Sequence, residues 1–252
     1  MQSNSEKVDL NFVIASFATK ITIKQYADAV EDIGLWNSEK VFITKYLPFE
    51  KKILDLGCGA GRTTFGLYEL GYQDLTGLDI SPDMINEAKK HRLNQKANIP
   101  FIVGDAGNLP FNDQSFDGCL FPFNGLMQVP TRELRIIVLK EIHRILKSNC
   151  PFIFTTHDRD ISPIWKLYWE EEARYWQQNK QDKRLREFGD MILEDKDKLL
   201  YIHVPTRNEI LSCLKESGLE LVEDAWRSEI AEEPEVVKKF AGECRFWAVR
   251  KP

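Results

Sequence analysis

The run Ile53-Leu54-Asp55-Leu56 leads straight into Gly57-Cys58-Gly59-Ala60-Gly61 and then into a stretch with helical spacing. This order of elements narrows the possible folds more than any other feature of the sequence. A short, almost wholly apolar strand must be covered on both faces, as strands of a parallel sheet are. The glycines that follow allow positive φ and remove side chains where a ligand has to approach the backbone. Nicotinamide dinucleotide enzymes use a related turn, but their third glycine falls one residue further on, where this chain has Arg62. That class loses ground.

From Lys51 onward, apolar runs alternate with helical stretches, the pattern of a parallel sheet layered between helices. Strands are expected near Lys52–Leu56, Leu75–Asp79, Phe101–Val103, Asp117–Pro122 and Phe152–Thr156, and helices over Gly61–Leu70, Pro82–Leu93 and Arg132–Leu146. Ser81-Pro82 supplies a cap followed by proline in the first helical turn. The fold class is therefore α/β, a doubly wound Rossmann-like sheet. Parallel neighbours need crossovers, which gather the C-terminal strand ends along one edge, and ligands settle there. A helix near Arg207–Ser217 precedes Leu219–Trp226 and Arg245–Arg250, two β-rich runs whose connection reads as too short for a packed helix and therefore as an antiparallel hairpin. The charged stretch from Asp160 to Leu200 carries Trp165, Tyr168, Trp169, Tyr175 and Trp176 at helical spacing and reads as an inserted helical cap. The expected layout is leading helices over 1–50 covering the ligand edge, a core of 51–158 and 201–252, and a cap at 159–200.

The chain has 252 residues, long enough for one substantial domain, and a formal charge of −5. An acidic balance offers no broad attraction to a phosphate backbone, which disfavours nucleic acid as a partner and favours small molecules. The longest uncharged run, Gly118 to Thr131, is broken by Pro122 and Pro130 and is too short to cross a bilayer. Leu10–Thr19 has the length of a signal-peptide core but an acidic leader in Glu6, Lys7 and Asp9, and so reads as an amphipathic segment. The five cysteines are scattered, with no metal knuckle or redox pair; they are expected to be reduced, which points to the cytoplasm. No metal site is expected.

The second strand ends in Asp79, where a carboxylate can accept both hydroxyl protons of a ribose. The third ends in Gly104-Asp105-Ala106, which brings a second carboxylate and a backbone amide beside the adenine position, followed by the compact turn Asn108-Leu109-Pro110-Phe111. After the fourth comes Phe121-Pro122-Phe123-Asn124-Gly125, which brings apolar surface and an amide side chain to the reacting end.

In Asp55-Leu56-Gly57-Cys58-Gly59-Ala60-Gly61, Asp79 and Gly104-Asp105-Ala106 with Leu109-Pro110-Phe111, taken in that order, the chain resembles a class I S-adenosylmethionine-dependent methyltransferase, over roughly Lys51 to Thr156. Phe116-Asp117 to Gly125 is similar to that family's fourth motif in small-molecule enzymes and lacks the Asn-Pro-Pro-Tyr type used on nucleobase amines. The resemblance implies a seven-stranded sheet with its last strand antiparallel, S-adenosyl-L-methionine as cofactor, and methyl transfer to nitrogen or oxygen of a small acceptor. It also implies cofactor contacts from Tyr26, Asp55, Gly57, Cys58, Gly59, Gly61, Asp79, Ile80, Met84, Asp105, Ala106, Phe123 and Asn124. Methyl transfer is an in-line displacement at a carbon on sulfonium, so alignment is the protein's main task and a base is optional.

By placement, His157 after the fifth strand is the candidate base; the alternative is a loop histidine bonded to backbone. Arg62 either fixes the glycine turn or meets the cofactor carboxylate, and Asp55 either organises that turn or orients the cofactor amine. Cys58 is there for its small size, and nothing beside it makes it a nucleophile. The rival readings are an RNA or protein methyltransferase and a non-catalytic S-adenosylmethionine-binding protein.

Overall fold

A strand covered on both faces alternates its side chains between two separate cores, and this chain does so strand by strand. The computed structural model describes residues 7–95, 97–195 and 198–252; of the acidic leader, Glu6 lies outside the described residues. In β1 (Ile53–Leu56), Ile53 enters one apolar cluster, while Leu54 and Leu56 enter the other. After β2 (Leu75–Asp79) and β3 (Phe101–Val103), the alternation recurs in β4 (Gly118–Phe121) and in β5 (Pro151–Thr156), where Ile153 faces the first cluster and Phe152 and Phe154 the second.

Helices cover both faces. The first is closed by α1 (Leu10–Phe17), α2 (Lys20–Asp32), α3 (Asn37–Tyr46), α4 (Arg62–Leu70) and α5 (Pro82–Gln95). On the second face, α6 (Arg132–Ile145) brings Ile136, Leu139 and Ile142 against the sheet. The chain then forms α7 (Pro163–Gln177), β6 (Asp190–Asp195), β7 (Lys198–His203), α8 (Arg207–Ser217), β8 (Glu220–Trp226), α9 (Arg227–Ile230), α10 (Glu235–Phe240) and β9 (Arg245–Arg250). The sheet runs β3-β2-β1-β4-β5-β9-β8; β1 to β5 are parallel to one another, and β9 is antiparallel to both β5 and β8. Because β1 and β4 sit side by side at the centre, their outgoing loops part there and leave a crevice at the C-terminal edge.

Two expectations change. β8 and β9 do pair antiparallel, but the connection holds two short helices, with Val237 of α10 buried in the first core. The segment 159–200 is not helical throughout: after α7, the chain pairs β6 with β7 in an antiparallel hairpin that runs on to His203. Met191-Ile192-Leu193 and Leu199-Leu200-Tyr201-Ile202 carry the β-prone residues, and the surrounding charge obscured them.

The hairpin is joined to the core by ions. Arg135 of α6, 3 % exposed, donates to Glu187 ahead of β6, to Glu209 of α8 at 3.3 Å and to the Val129 carbonyl at 3.2 Å. His203 lies between Asp190 at 2.8 Å and Glu209 at 2.7 Å. Arg159 adds a bond to Glu209 at 3.1 Å. Removing one member strands the others as buried charge. Arg135→Met is expected to lower unfolding free energy by about 3 kcal/mol, measured by urea titration, with proteolysis of the folded variant beginning in the β6–β7 hairpin. A loss under about 1 kcal/mol, the range of an exposed pair, would show the network to be ornamental.

Candidate functional site

The crevice is a cavity of about 300 Å³, within the range of small-molecule sites. Its floor is Leu56, Gly57 and Gly59 at the end of β1, Asp79 and Ile80 at the end of β2, Gly104 to Gly107 after β3, and Phe121 to Phe123 at the end of β4. Leu10, Val13 and Phe17 of α1 and Tyr26 of α2 form one wall, with Met84 behind; Gln128, Val129, Leu134, Ile137 and Val138 form the other. Tyr26 meets Phe17 and Phe123 edge to face, at 5.7 and 6.0 Å between ring centres. A smaller adjoining cavity of about 40 Å³ shares Tyr26, Gly57, Gly59 and Phe123 and adds Cys58, Arg62 and Phe240.

Asp79 is the hub. One carboxylate oxygen accepts from the Gly59 N–H and the other from the Ser81 N–H, each at 2.8 Å, so the side chain ties the glycine turn to the exit of β2. Gly59 holds φ of +54°, a conformation open to glycine at little cost. At Gly57, also at positive φ, a Cβ would lie 2.5 Å from the Phe121 ring, so both freedom and space require glycine. Burial raises the Asp79 carboxyl pKa, against the opposing pull of the Ser81, Gly59 and Ile80 amides. Asp105 folds back on its own turn, accepting from the Gly107 N–H at 2.8 Å. Burial, reinforced by Asp79, pushes the Tyr26 phenol up to about 12, so it stays a donor. Among the described residues, the main cavity lining contains two carboxylates and no lysine or arginine. Such a lining repels phosphate and suits hydroxyls, amines and cations.

Of the sequence-predicted residues, Tyr26, Gly57, Gly59, Asp79, Ile80, Met84, Asp105, Ala106 and Phe123 line this cavity. Five do not. Cys58 reaches only the smaller cavity, buried, with its thiol pushed well up by desolvation. Gly61 turns the chain into α4 at φ +97°, where a Cβ would meet the Phe65 ring at 2.6 Å. Asp55 is wholly buried under the turn, accepting from the Thr64 hydroxyl at 2.5 Å. Asn124 and His157 lie behind the cavity wall: His157 Nδ1 is 3.0 Å from the Glu243 carbonyl and Nε2 is 3.3 Å from the Asn124 amide nitrogen. Burial lowers the pKa of His157, and a neutral ring bonded at both nitrogens is a buttress for the loop, not a base facing the cavity. Arg62, at the start of α4, pairs through both terminal nitrogens with Glu39 of α3 at 2.7 Å, and one also donates to Gly34 O at 2.8 Å.

Sequence reading placed leading helices over this edge but named no lining residue of α1, and it missed the α6 wall and Gln128. The first two are ordinary amphipathic faces with no signal of a ligand. Gln128 did carry one, as one of the few polar residues in the uncharged run Gly118 to Thr131.

Residues 53–149 match the family described as Methyltransferase domain. The chain is 30 % identical over 167 residues to a demethylmenaquinone methyltransferase of Staphylococcus epidermidis, covering 66 % of this chain and 67 % of that one. It is 38 % identical over 121 residues to a demethylmenaquinone methyltransferase of Lactobacillus johnsonii, covering 46 % and 48 %. Among solved structures, it is similar to a SAM-dependent methyltransferase of Methanosarcina mazei, with TM-score 0.66 and 22 % identity over 83 % of this chain and 96 % of that one. The cyclase SpnF has the same TM-score at 16 % identity over 98 % of each chain, a likeness of fold alone.

Asp55 sets a pH dependence. Burial raises its carboxyl to about 7, opposed by the Thr64 hydroxyl and Arg62. The folded state therefore holds a proton that the unfolded chain has lost between about pH 4 and 7, and its stability falls as pH rises through that window. Relative to Asp55→Asn, the wild type should lose about 2–3 kcal/mol between pH 5 and pH 8. Urea titrations of both proteins at the two pH values check this, and a pH-independent difference would refute it.

Proposed function

The chain belongs to the class I S-adenosylmethionine-dependent methyltransferases, and from that we propose that it transfers a methyl group to a nitrogen or oxygen atom of a small molecule bound in the crevice. The cofactor is S-adenosyl-L-methionine, which when bound supplies an electrophilic methyl on sulfonium.

The residues present fit that group, and the observation carrying the reading is the charge of the lining. Asp79 spends one lone pair of each oxygen on the backbone, which leaves the carboxylate able to accept ribose hydroxyls. Gly57 and Gly59 let the backbone come close. Ile80, Met84, Leu134 and Val138 supply apolar walls for a flat base, with Asp105 and the Ala106 amide at its polar edge. Tyr26 and Phe123 line both the main cavity and the smaller one, where the Arg62 guanidinium is already paired with Glu39. Leu10, Val13 and Phe17 exclude water, which strengthens every polar contact inside.

Residues 7–50 then act as the cover of the cofactor edge. The segment from 159, extended to the end of β7, acts as the cap over a core of 51–158 and 204–252. Its inner contact is with the loop after β4: Met127 packs against Trp169, Ile202 and Val204. The names of the two curated relatives support a small-molecule acceptor.

Incubation with methyl-labelled cofactor and a panel of amines and phenols should place label on nitrogen or oxygen; label found only on carbon, or on RNA or protein, would overturn the reading. Asp79→Ala should weaken S-adenosylhomocysteine binding about ten- to a hundredfold by calorimetry, the value of a charged hydrogen-bond acceptor. Asp79→Asn should fall in between, and wild-type affinity in Asp79→Ala would remove the assignment.

A further inference from the structure

Helix α1 has eight residues, Leu10–Phe17, too few to be stable by themselves in water. What it packs against therefore decides where it stands, and it packs on two things at once. Leu10, Val13 and Phe17 line the main cavity. Val13 also joins Val8 and Tyr201 in a separate buried cluster, against which Phe12, Phe17 and Ile192 pack. Ile192 of β6 and Tyr201 of β7 are cross-strand partners, so the hairpin presents one apolar pair to the helix that walls the crevice.

Polar contacts fasten the same junction. Just ahead of α1, the Val8 N–H donates to the Arg184 carbonyl at 2.9 Å, and the Val8 carbonyl accepts from the Arg186 guanidinium. Asp190 places Arg186 in turn. One of its carboxylate oxygens accepts from the Arg186 and Glu187 N–H groups at 2.9 and 3.0 Å, and the other from the Tyr201 hydroxyl at 2.7 Å. At its other end α1 stops at Ala18, and Thr19, in extended conformation, starts α2. Such a two-residue joint between elements is where hinge rotations are absorbed. Among the described residues, none of β6 or β7 lines the main cavity, so the hairpin acts on the crevice through α1.

We propose that α1 is the lid of the cofactor crevice and that the β6–β7 hairpin is its latch: the cofactor enters and its product leaves when α1 turns about Ala18-Thr19 and parts from Ile192, Tyr201 and Arg186. This rests on the methyl-transfer reading above and adds to it the element that governs cofactor exchange. The loops at the strand ends are tied to one another through Asp79, whereas α1 leans on a hairpin outside the sheet, so α1 is the wall that opens at least cost. Closed, its apolar side chains keep water from the sulfonium; open, they free the path to the sheet edge. The latch has a fixed seat, because Glu187 and His203 join the hairpin to Arg135 of α6 and Glu209 of α8.

Hydrogen exchange read by mass spectrometry on the full chain, with and without saturating S-adenosylhomocysteine, should show slower exchange in α1 and, with it, in β6 and β7. The strands lie outside the main cavity, so protection there reports the latch and not direct contact. Stopped-flow displacement should show S-adenosylhomocysteine leaving Arg186→Met about tenfold faster than the wild type, the value of one charge-assisted hydrogen bond. Ile192→Ala, which trims the packing against α1, should release it at least about threefold faster. In both unliganded variants α1 should exchange faster as well. The proposal is overturned if the ligand slows exchange in α1 alone or in neither element, or if both variants release it within about twofold of the wild-type rate. It is also overturned if release quickens while exchange in α1 stays as in the wild type, which would place the effect elsewhere. The exchange measurement on the wild type decides by itself should a variant fail to fold. Failure of the wild type to bind S-adenosylhomocysteine would defeat the methyl-transfer reading first and is distinct from all of these.

Discussion

The crevice depends on one carboxylate accepting two backbone N–H groups from different strand exits. Without Asp79, the turn Gly57–Gly61 and the start of α5 would each carry an unmet amide at the sheet edge. With it, the two loops are held a fixed distance apart, and the same atoms that hold them offer their remaining lone pairs to the cavity. Desolvation pushes the carboxyl pKa up while three amides oppose this, so the charge is kept by the backbone and not by a neighbouring cation. That distinction matters for specificity. A lysine or arginine partner would have neutralised Asp79 and made the edge tolerant of phosphate, whereas amide dipoles leave it an acceptor.

The same economy of charge appears in reverse under the cap. Glu187, Asp190 and His203 place three ligand atoms within 4.8 Å of one another, a grouping compatible with a cation. Arg135 already brings a guanidinium to Glu187, and Tyr201 donates to Asp190 at 2.7 Å, so the positive charge is supplied by the chain itself. Because Arg135 sits on α6 and Glu209 on α8, this cluster makes the placement of the hairpin dependent on the core helices. Met127, packed against Ile202 and Val204, extends that dependence to the loop after β4.

The strands of the parallel sheet were legible because each is buried on both faces and so nearly continuous in apolar residues; β2 and β3 begin and end where the pattern says. Helix α8 was equally clear, with Thr206 capping its start and Gly218 its end. The β6–β7 hairpin was not, because its alternation is embedded among Glu, Asp and Lys, and a charged stretch next to an aromatic helix reads as more helix. In the site, residues at strand ends were found because topology alone brings them to the edge. For His157 the sequence left two readings open: topology puts it at the edge, but side-chain direction decides whether it faces the cavity, and its Nδ1 lies against the Glu243 carbonyl, contributed from just before β9. No local pattern around residue 157 encodes a partner so distant in sequence.

That placement explains what His157 contributes. A left-handed Phe123-Asn124 pair costs about 1–3 kcal/mol per residue unless the environment imposes it. Asn124 is held at its backbone by Thr155 and at its side chain by the His157 ring, while the His157 amide meets Met127. The imidazole therefore links β5, the connection before β9 and the loop after β4 into one unit. Its lowered pKa keeps the ring neutral, with Nδ1 donating to the carbonyl and Nε2 accepting from Asn124, a polarity that protonation would break. Phe123, set by this arrangement, faces Tyr26 on one side and stacks on Phe240 at 5.1 Å on the other, so the partition between the two cavities is built from rings whose position is decided behind the wall. The walls of the crevice are thus positioned in part by residues behind them. A charge carried by Asp79 is aimed by backbone amides, and an aromatic gate is aimed by a histidine that faces away.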